Sequence, residues 1–378
     1  MNSGKNVPRI EALDGLRGIA AAIVVAYHYL LLMHWEVVPR RGMDVPIISD
    51  VPLSILWNGP FSVTVFFVLS GFVIAAAADR QQADILYSVT TRYLRLAIPA
   101  TASVMLAWIW LSVFPEATFA LQDSSDPPSP WLRNTYQVDI PGPHLAVIDG
   151  LIANFVRGFS RFNNVLWTMQ FELIGSVCIF LAYGLFSPKM RFAVFLVVGM
   201  GAALIEREAY YLSFVAGMFI YEGRKTGVFD SLSKSSGSVA LILGLLIGWP
   251  AAGLGERLGF EVAPRLFELG HPASVWPVIA AALLVFAALK SSAFTVLLNA
   301  PISQFLGRIS FGLYLVHVPL LYTVIAFLLV TYKLPEVVIA AIFLTLALSL
   351  ATVFTLVVDE PFLRVLKRRS RRQRLRLP

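Results

Sequence analysis

Arg17 and His28 stand eleven positions apart in a stretch with few other polar groups. Eleven residues make close to three turns of an α-helix, so both side chains face the same way, about 16 Å apart along the axis. Asp14 precedes Arg17 by three positions, a spacing that pairs the two on one face. An imidazole with an ordinary pKa of ~6.5 is suited to take a proton from a hydroxyl at neutral pH. A packing histidine and a snorkelling arginine would need no chemistry, but they would not need to be aligned either.

Other polar groups interrupt the apolar sequence. Ser70 and Gly71 sit inside Phe66-Phe67-Val68-Leu69-Ser70-Gly71-Phe72. Small residues between aromatic ones let helices approach closely, so packing is the expected role, and no G-x-S-x-G context marks Ser70 as a nucleophile. Arg92 and Arg95, with Pro99 following, share one helical face. Two guanidinium groups so placed can clamp phosphates, or they can be the positive charge that collects on the cytoplasmic side; both readings stay open. Glu172 follows Trp167 by five positions. At the depth of His28 its carboxylate would orient and charge-stabilise that imidazole. Ser310, Tyr314 and His317 fall at i, i+4 and i+7, one polar stripe that belongs against the interior of a bundle. For His317, structural hydrogen bonding is as good an expectation as catalysis. The five histidines and the single Cys178 show no ligand spacing, so no metal is expected.

The elements that position these residues follow from composition. The chain has 378 residues, 57% hydrophobic and 14% charged, with a mean hydropathy of +0.73. Soluble domains carry roughly 25% charged residues; so little charge covers a lipid-facing surface, not a water-facing one. Runs near the roughly 20 residues needed to cross a bilayer fall at 15–33, 60–78, 96–114, 165–186, 192–205, 210–221, 239–252, 273–289, 311–330 and 337–358. The expectation is an all-α integral membrane bundle of about ten transmembrane helices, with residues 1–358 as the transmembrane domain and 359–378 as a basic tail. The first run carries Asp14 and Arg17, unlike a cleaved leader. With a cytoplasmic N-terminus, twenty of the thirty Lys and Arg fall inside and nine outside, Arg17 lying within the first span. Both termini are therefore expected in the cytoplasm. Seven positive charges between residues 367 and 376 suit a segment held near anionic lipid better than nucleic-acid binding. The longest loop, 115–164, holds Pro127, Pro128, Pro130, Pro141 and Pro143, and its stretch 145–159 is amphipathic enough to lie at the interface.

Together these segments resemble the acyltransferase-3 family of membrane acyltransferases. Arg9-Ile10-Glu11-Ala12-Leu13-Asp14-Gly15-Leu16-Arg17, with His28 eleven positions later, resembles that family's R-x-x-x-L-D-G-L-R opening and its R-x10-H pair. The segment 66–72 resembles its F-F-x-L-S-G-F, and Arg92 with Arg95 its R-x-x-R. Leu166-Trp167 with Glu172 resembles its L-W-(S/T)-x-x-x-E. The run from Ile309 to Pro319 resembles its I-S-Y-x-x-Y-L-x-H-x-P, with Phe311 in place of the usual Tyr. Asp359-Glu360-Pro361-Phe362 resembles its closing E-P turn.

The resemblance implies an O-acyltransferase of envelope or exported glycans. Acyl-CoA, usually acetyl-CoA, would be a donor substrate rather than a permanent cofactor. The acceptor hydroxyl, on exopolysaccharide, O-antigen, peptidoglycan or a glycolipid, would wait at the outer face of a bacterial inner membrane. Arg92 and Arg95 would hold CoA phosphates, Arg17 would position the donor or hold Asp14, and His28 would act as base with Glu172 orienting it. Trp167, Ser310, Tyr314 and His317 would line the substrate site. A transporter or flippase of a lipid-linked glycan or acyl donor is the rival reading; it predicts inverted repeats and broken helices at matching positions, which the sequence does not display.

Overall fold

A computed structural model describes residues 10–35, 38, 52–80, 84–124, 131, 140–203, 209–249 and 275–374. Among these residues the chain is helical, with no strand. Six helices are long and apolar enough to cross a bilayer: α1 (Glu11–Met33), α2 (Gly59–Arg80), α3 (Ile85–Val113), α6 (Asn164–Leu185), α12 (Pro301–Tyr332) and the span Glu336–Leu366. Between α3 and α6 lie α4 (Ala117–Ser124) and the short apolar α5 (Pro143–Val156). The chain is a multi-pass membrane protein.

The other four expected spans also fall on helices, but short ones: α7 (Pro188–Ala203), α8 (Ala209–Lys225), α9 (Lys234–Gly248) and α10 (Val275–Lys290). At 15 to 17 residues they reach roughly 22–26 Å, short of the ~30 Å hydrocarbon core. α10 bends by 92° into α11 (Ser292–Leu298), and the pair counted together would make a seventh span. Among the described residues every expected run thus falls on a helix, while length and composition qualify six or seven of them. The expected ends at 204–205, 250–252 and 273–274 lie outside the described residues, as do Lys5, Arg9 and the loop prolines Pro127, Pro128 and Pro130.

Local chemistry sets the helix ends. The Asp84 carboxylate accepts from the Tyr87 N–H at 2.8 Å and caps α3, supplying one of the acceptors that a helix start leaves missing. Pro301 stands in the first turn of α12, where its missing N–H costs nothing. Lys333 ends that helix with φ 48°, and Pro335 precedes α13 (Glu336–Phe354). A π turn, Thr355–Asp359, then leads straight into α14 (Glu360–Arg374). The expected E-P turn is therefore a continuous helix, with Pro361 directly after the π turn that joins α13 to α14.

Two close crossings hold the core. A Cβ on Gly18 would come within 2.3 Å of the Gly307 nitrogen, so α1 and α12 meet backbone to backbone. A Cβ on Gly71 would meet the Phe214 carbonyl oxygen at 2.3 Å, which seats α2 against α8. The packing role expected for Ser70-Gly71 is thus filled by the glycine. Around the periphery apolar side chains face outward, as at Val197 (71% exposed) and Val337 (81%), which suits lipid. The stretch 145–159 is amphipathic in the membrane sense: Ile148, Ile152 and Val156 face out, while Asp149 and Asn154 are buried.

Candidate active site

Four helix faces enclose a cavity of about 1010 Å³ near the N-terminal end of α1. α1 contributes Asp14 and Arg17, α3 contributes Arg92 and Arg95, α6 contributes Thr168 and Glu172, and α12 contributes Ser310 and Tyr314. Phe66, Ser70, Val73 and Arg80 recur along α2 at helical spacing and form a further wall. Asp359, Glu360 and Arg364 close the rim from the C-terminal helix. Seven arginines face five carboxylates in the lining, so the cavity carries an excess of positive charge.

Three of the arginines are already paired. Arg17 Nη2 donates to Asp14 Oδ1, as the i, i+3 spacing predicts, and its Nε donates to Ser310 Oγ at 3.2 Å. Arg92 Nη2 donates to Glu172 Oε2, and Arg92 Nε donates to Ser176 Oγ at 3.0 Å. Arg308 Nε donates to Glu360 Oε1 at 2.7 Å. Arg80, Arg95, Arg224 and Arg364 form no ion pair with a carboxylate among the described residues. Arg95 is hemmed in by protein, yet its side chain opens on the cavity, within electrostatic reach of Asp359 and Arg17.

Glu172 occupies a different place from the one its spacing suggested. Its Oε1 accepts from Ser70 Oγ at 2.6 Å and its Oε2 from Arg92. It therefore braces α2 and α3, and does not orient His28. The reason is rotational: α6 turns this carboxylate towards α3, where a half-dry guanidinium is the stronger partner. Ser176, one turn further on α6, completes the arrangement by accepting from Arg92 and donating to the Glu172 carbonyl at 2.6 Å. No local spacing singles out Ser176. Trp167 is also displaced from its expected role, since it packs edge-on against Phe171 and beside Tyr210 and does not line the cavity.

The histidines form a second compartment. His28 Nδ1 lies 3.1 Å from His317 Nε2, although 289 positions separate the two residues in the chain. The polar stripe of α12 does face inward: His317 is 0% exposed, Ser310 2% and Tyr314 9%. Hydrogen-bond partners assign the protons. His317 Nδ1 lies 2.9 Å from the Leu313 carbonyl, which can only accept, so Nδ1 carries the proton and Nε2 is an acceptor. His28 Nδ1 then faces two acceptors, the Val24 carbonyl at 2.9 Å and His317 Nε2, and must carry the proton itself. His28 Nε2 is left as a lone-pair nitrogen, the atom a general base uses. Tyr27 and Trp131 rings flank His28 at 5.1 and 5.6 Å.

Tyr314 stands between the two compartments. It lines the cavity, its ring is 6.0 Å from His317 and 6.2 Å from Phe66, and its hydroxyl donates to the Val165 carbonyl at 2.7 Å with Thr168 Oγ1 at 2.9 Å. The arrangement can hold a polyanion at the arginine end and remove a proton at the histidine end. Among the described residues, no three His, Cys, Asp or Glu gather into a metal-binding group.

The sequence matches a family described as an acyltransferase domain over residues 10–354. It is also similar to the acyltransferase clz18 of Cochliobolus lunatus, 21% identical over 387 aligned positions with 82% of each chain covered. No solved structure matches.

Proposed function

The chain belongs to this acyltransferase family, and we propose that it moves an acetyl group from acetyl-CoA to a sugar hydroxyl of an exported or lipid-linked glycan, such as exopolysaccharide or O-antigen, in a bacterial cytoplasmic membrane. The enzyme is an acyltransferase; the donor, the acceptor and the roles below are the proposal. The observation that carries it is the tautomer of His28. A neutral imidazole with its free lone pair on Nε2 is bonded to His317, which sits one helical turn beyond Tyr314 in the wall of a cationic cavity.

In this reading the CoA phosphates sit in the cavity, held by Arg95 and by the unpaired rim arginines. Arg92, tied to Glu172, keeps the wall in place and adds field rather than a direct clamp. Arg17 does the same through Asp14 and Ser310. The pantetheine arm passes Phe66 and Tyr314 and brings the thioester carbonyl to the histidines. The acceptor hydroxyl enters from the far side. His28 Nε2 takes its proton as the oxygen attacks the thioester carbon, and His317 Nε2 accepts from the imidazolium that forms. The tetrahedral intermediate collapses with loss of the C–S bond, and the proton passes from His28 to the departing thiolate. Atoms and charge balance without a redox partner.

The topology supporting this has about ten spans, the four short helices crossing with the rest and both termini in the cytoplasm. The cavity then opens to the side where acyl-CoA is made, and the basic end of α14 emerges at the inner leaflet. The test is acetyl transfer in membranes given acetyl-labelled acetyl-CoA. Label should move into the glycan fraction with release of CoA thiol, and His28→Ala should abolish both. Wild-type turnover in that variant removes His28 as base.

A further inference from the structure

Pro319 lies inside α12. A proline brings no N–H to the carbonyl four residues back, and here that carbonyl belongs to Leu315, in a segment fully removed from water. The turn deprived of its helical bond is the turn that carries His317. Two side chains replace the missing donor. Asn163 Nδ2 donates to the Leu315 oxygen at 2.8 Å, and Ser103 Oγ donates to it at 2.9 Å. The second Asn163 N–H reaches Ser103 Oγ at 2.7 Å. Both residues are buried, Asn163 at 0% and Ser103 at 1% exposure. The amide orientation follows from chemistry, because a carbonyl oxygen can face only the NH2 side of an asparagine. Ser160 Oγ in turn accepts from the Asn163 backbone N–H at 3.3 Å, so the connection before α6 is fixed as well.

We propose that Asn163 and Ser103 are positioning residues for the histidine pair. They hold the Leu315–Pro319 turn in one geometry and thereby keep His317 Nε2 within hydrogen-bonding distance of His28 Nδ1. This rests on the reading of His28 as base. Neither residue touches His28, and neither lines the cavity. A buried amide and a buried hydroxyl spent on one carbonyl are costly unless that carbonyl needs them. Its need comes from Pro319. The consequence is a separation of effects: loss of either donor should disturb proton transfer and leave donor binding alone.

The experiment measures kcat, KM for acetyl-CoA and the pH profile of kcat on purified full-length protein. Asn163→Ala should lower kcat roughly 10- to 100-fold, the range a small misplacement of a reacting group produces. Its KM should stay within about 2-fold, because the arginine cavity is untouched. Adding Pro319→Ala to that variant returns an N–H to the Leu315 carbonyl and should recover most of the lost turnover, together with the wild-type pH profile. Turnover at the wild-type level in Asn163→Ala overturns the proposal, and so does a loss that Pro319→Ala does not repair. Should Asn163→Ala not give a monodisperse protein, Ser103→Ala removes one donor and keeps the other. It should lower kcat several-fold at unchanged KM, by the same misplacement, and a wild-type kcat there overturns the proposal. His28→Ala in the same assay keeps the two ideas apart. If it is active, the base assignment fails; if it is inactive while Asn163→Ala and Ser103→Ala are normal, only the positioning role fails.

Discussion

The arginine end and the histidine end of the site solve the problem of polar groups in a membrane in opposite ways. At the arginine end charge is kept: seven guanidinium groups and five carboxylates line one cavity, and three ion pairs share the load. At the histidine end charge is avoided, because two imidazoles and a tyrosine satisfy one another and nearby carbonyls as neutral groups. A charged group in hydrocarbon is expensive unless paired or wet, so the wet cavity takes the ions and the dry interior takes neutral donors and acceptors. The contrast separates recognition of an anionic donor from proton removal, with Tyr314 at the border.

That division predicts unequal damage. Replacing His28 by Ala should cost about 10²- to 10⁴-fold in kcat, the range of a lost general base, with KM for acyl-CoA nearly constant in steady-state kinetics. A large rise in KM would mean that the compartments are not separate. Next comes the buried pair of Glu172 and Arg92, whose side chains are 12% and 13% exposed. Glu172→Ala strands a guanidinium and should destabilise the protein by roughly 3–5 kcal/mol, read as a lowered melting temperature in detergent. The double variant Glu172→Leu with Arg92→Met should recover most of that stability, since an apolar pair of similar volume is often no worse. Failure of the double variant to recover would show that Glu172 does more than brace the wall. Arg95→Ala should raise KM for acetyl-CoA about 10-fold or more, equivalent to one lost charge-assisted hydrogen bond of ~1.5–3 kcal/mol, with kcat close to normal. A pure kcat defect would place Arg95 with the histidines instead.

How much of this is legible in the sequence depends on how local each relation is. Asp14 and Arg17 pair because three positions on a helix dictate it. The inward stripe of Ser310, Tyr314 and His317 follows from the helical period in the same way. Glu172 fails as a partner for His28 because spacing along one helix says nothing about its rotation against another. Its true partners, Arg92 and Ser70, are 80 and 102 positions away. His28 and His317 are each conspicuous in the sequence, but their union across α1 and α12 depends on the Gly18–Gly307 approach. The family resemblance is carried by the same short segments, and the family match over residues 10–354 bears it out. The number of spans was the least legible feature, since helices of 15 to 17 residues sit at the lower edge of what a bilayer requires.

The smallest expected effect tests the border from the arginine side. Ser70 lines the cavity and its hydroxyl donates to Glu172 Oε1 at 2.6 Å, an arrangement that on its face could activate a nucleophile. The other oxygen of that carboxylate is bound to Arg92, so the carboxylate is already engaged in an ion pair that joins α3 to α6. Ser70 should therefore be a brace and form no acyl-enzyme. Ser70→Ala removes one hydrogen bond to a group that keeps its ionic partner, so the stability loss should be about 1 kcal/mol and turnover should stay within a few-fold of wild type. Intact-protein mass spectrometry after brief exposure to acetyl-CoA should show no added acetyl group. An acetylated Ser70 peptide, or a loss of turnover as deep as that of His28→Ala, would move the chemistry from the histidine end to the arginine end and collapse the division between them.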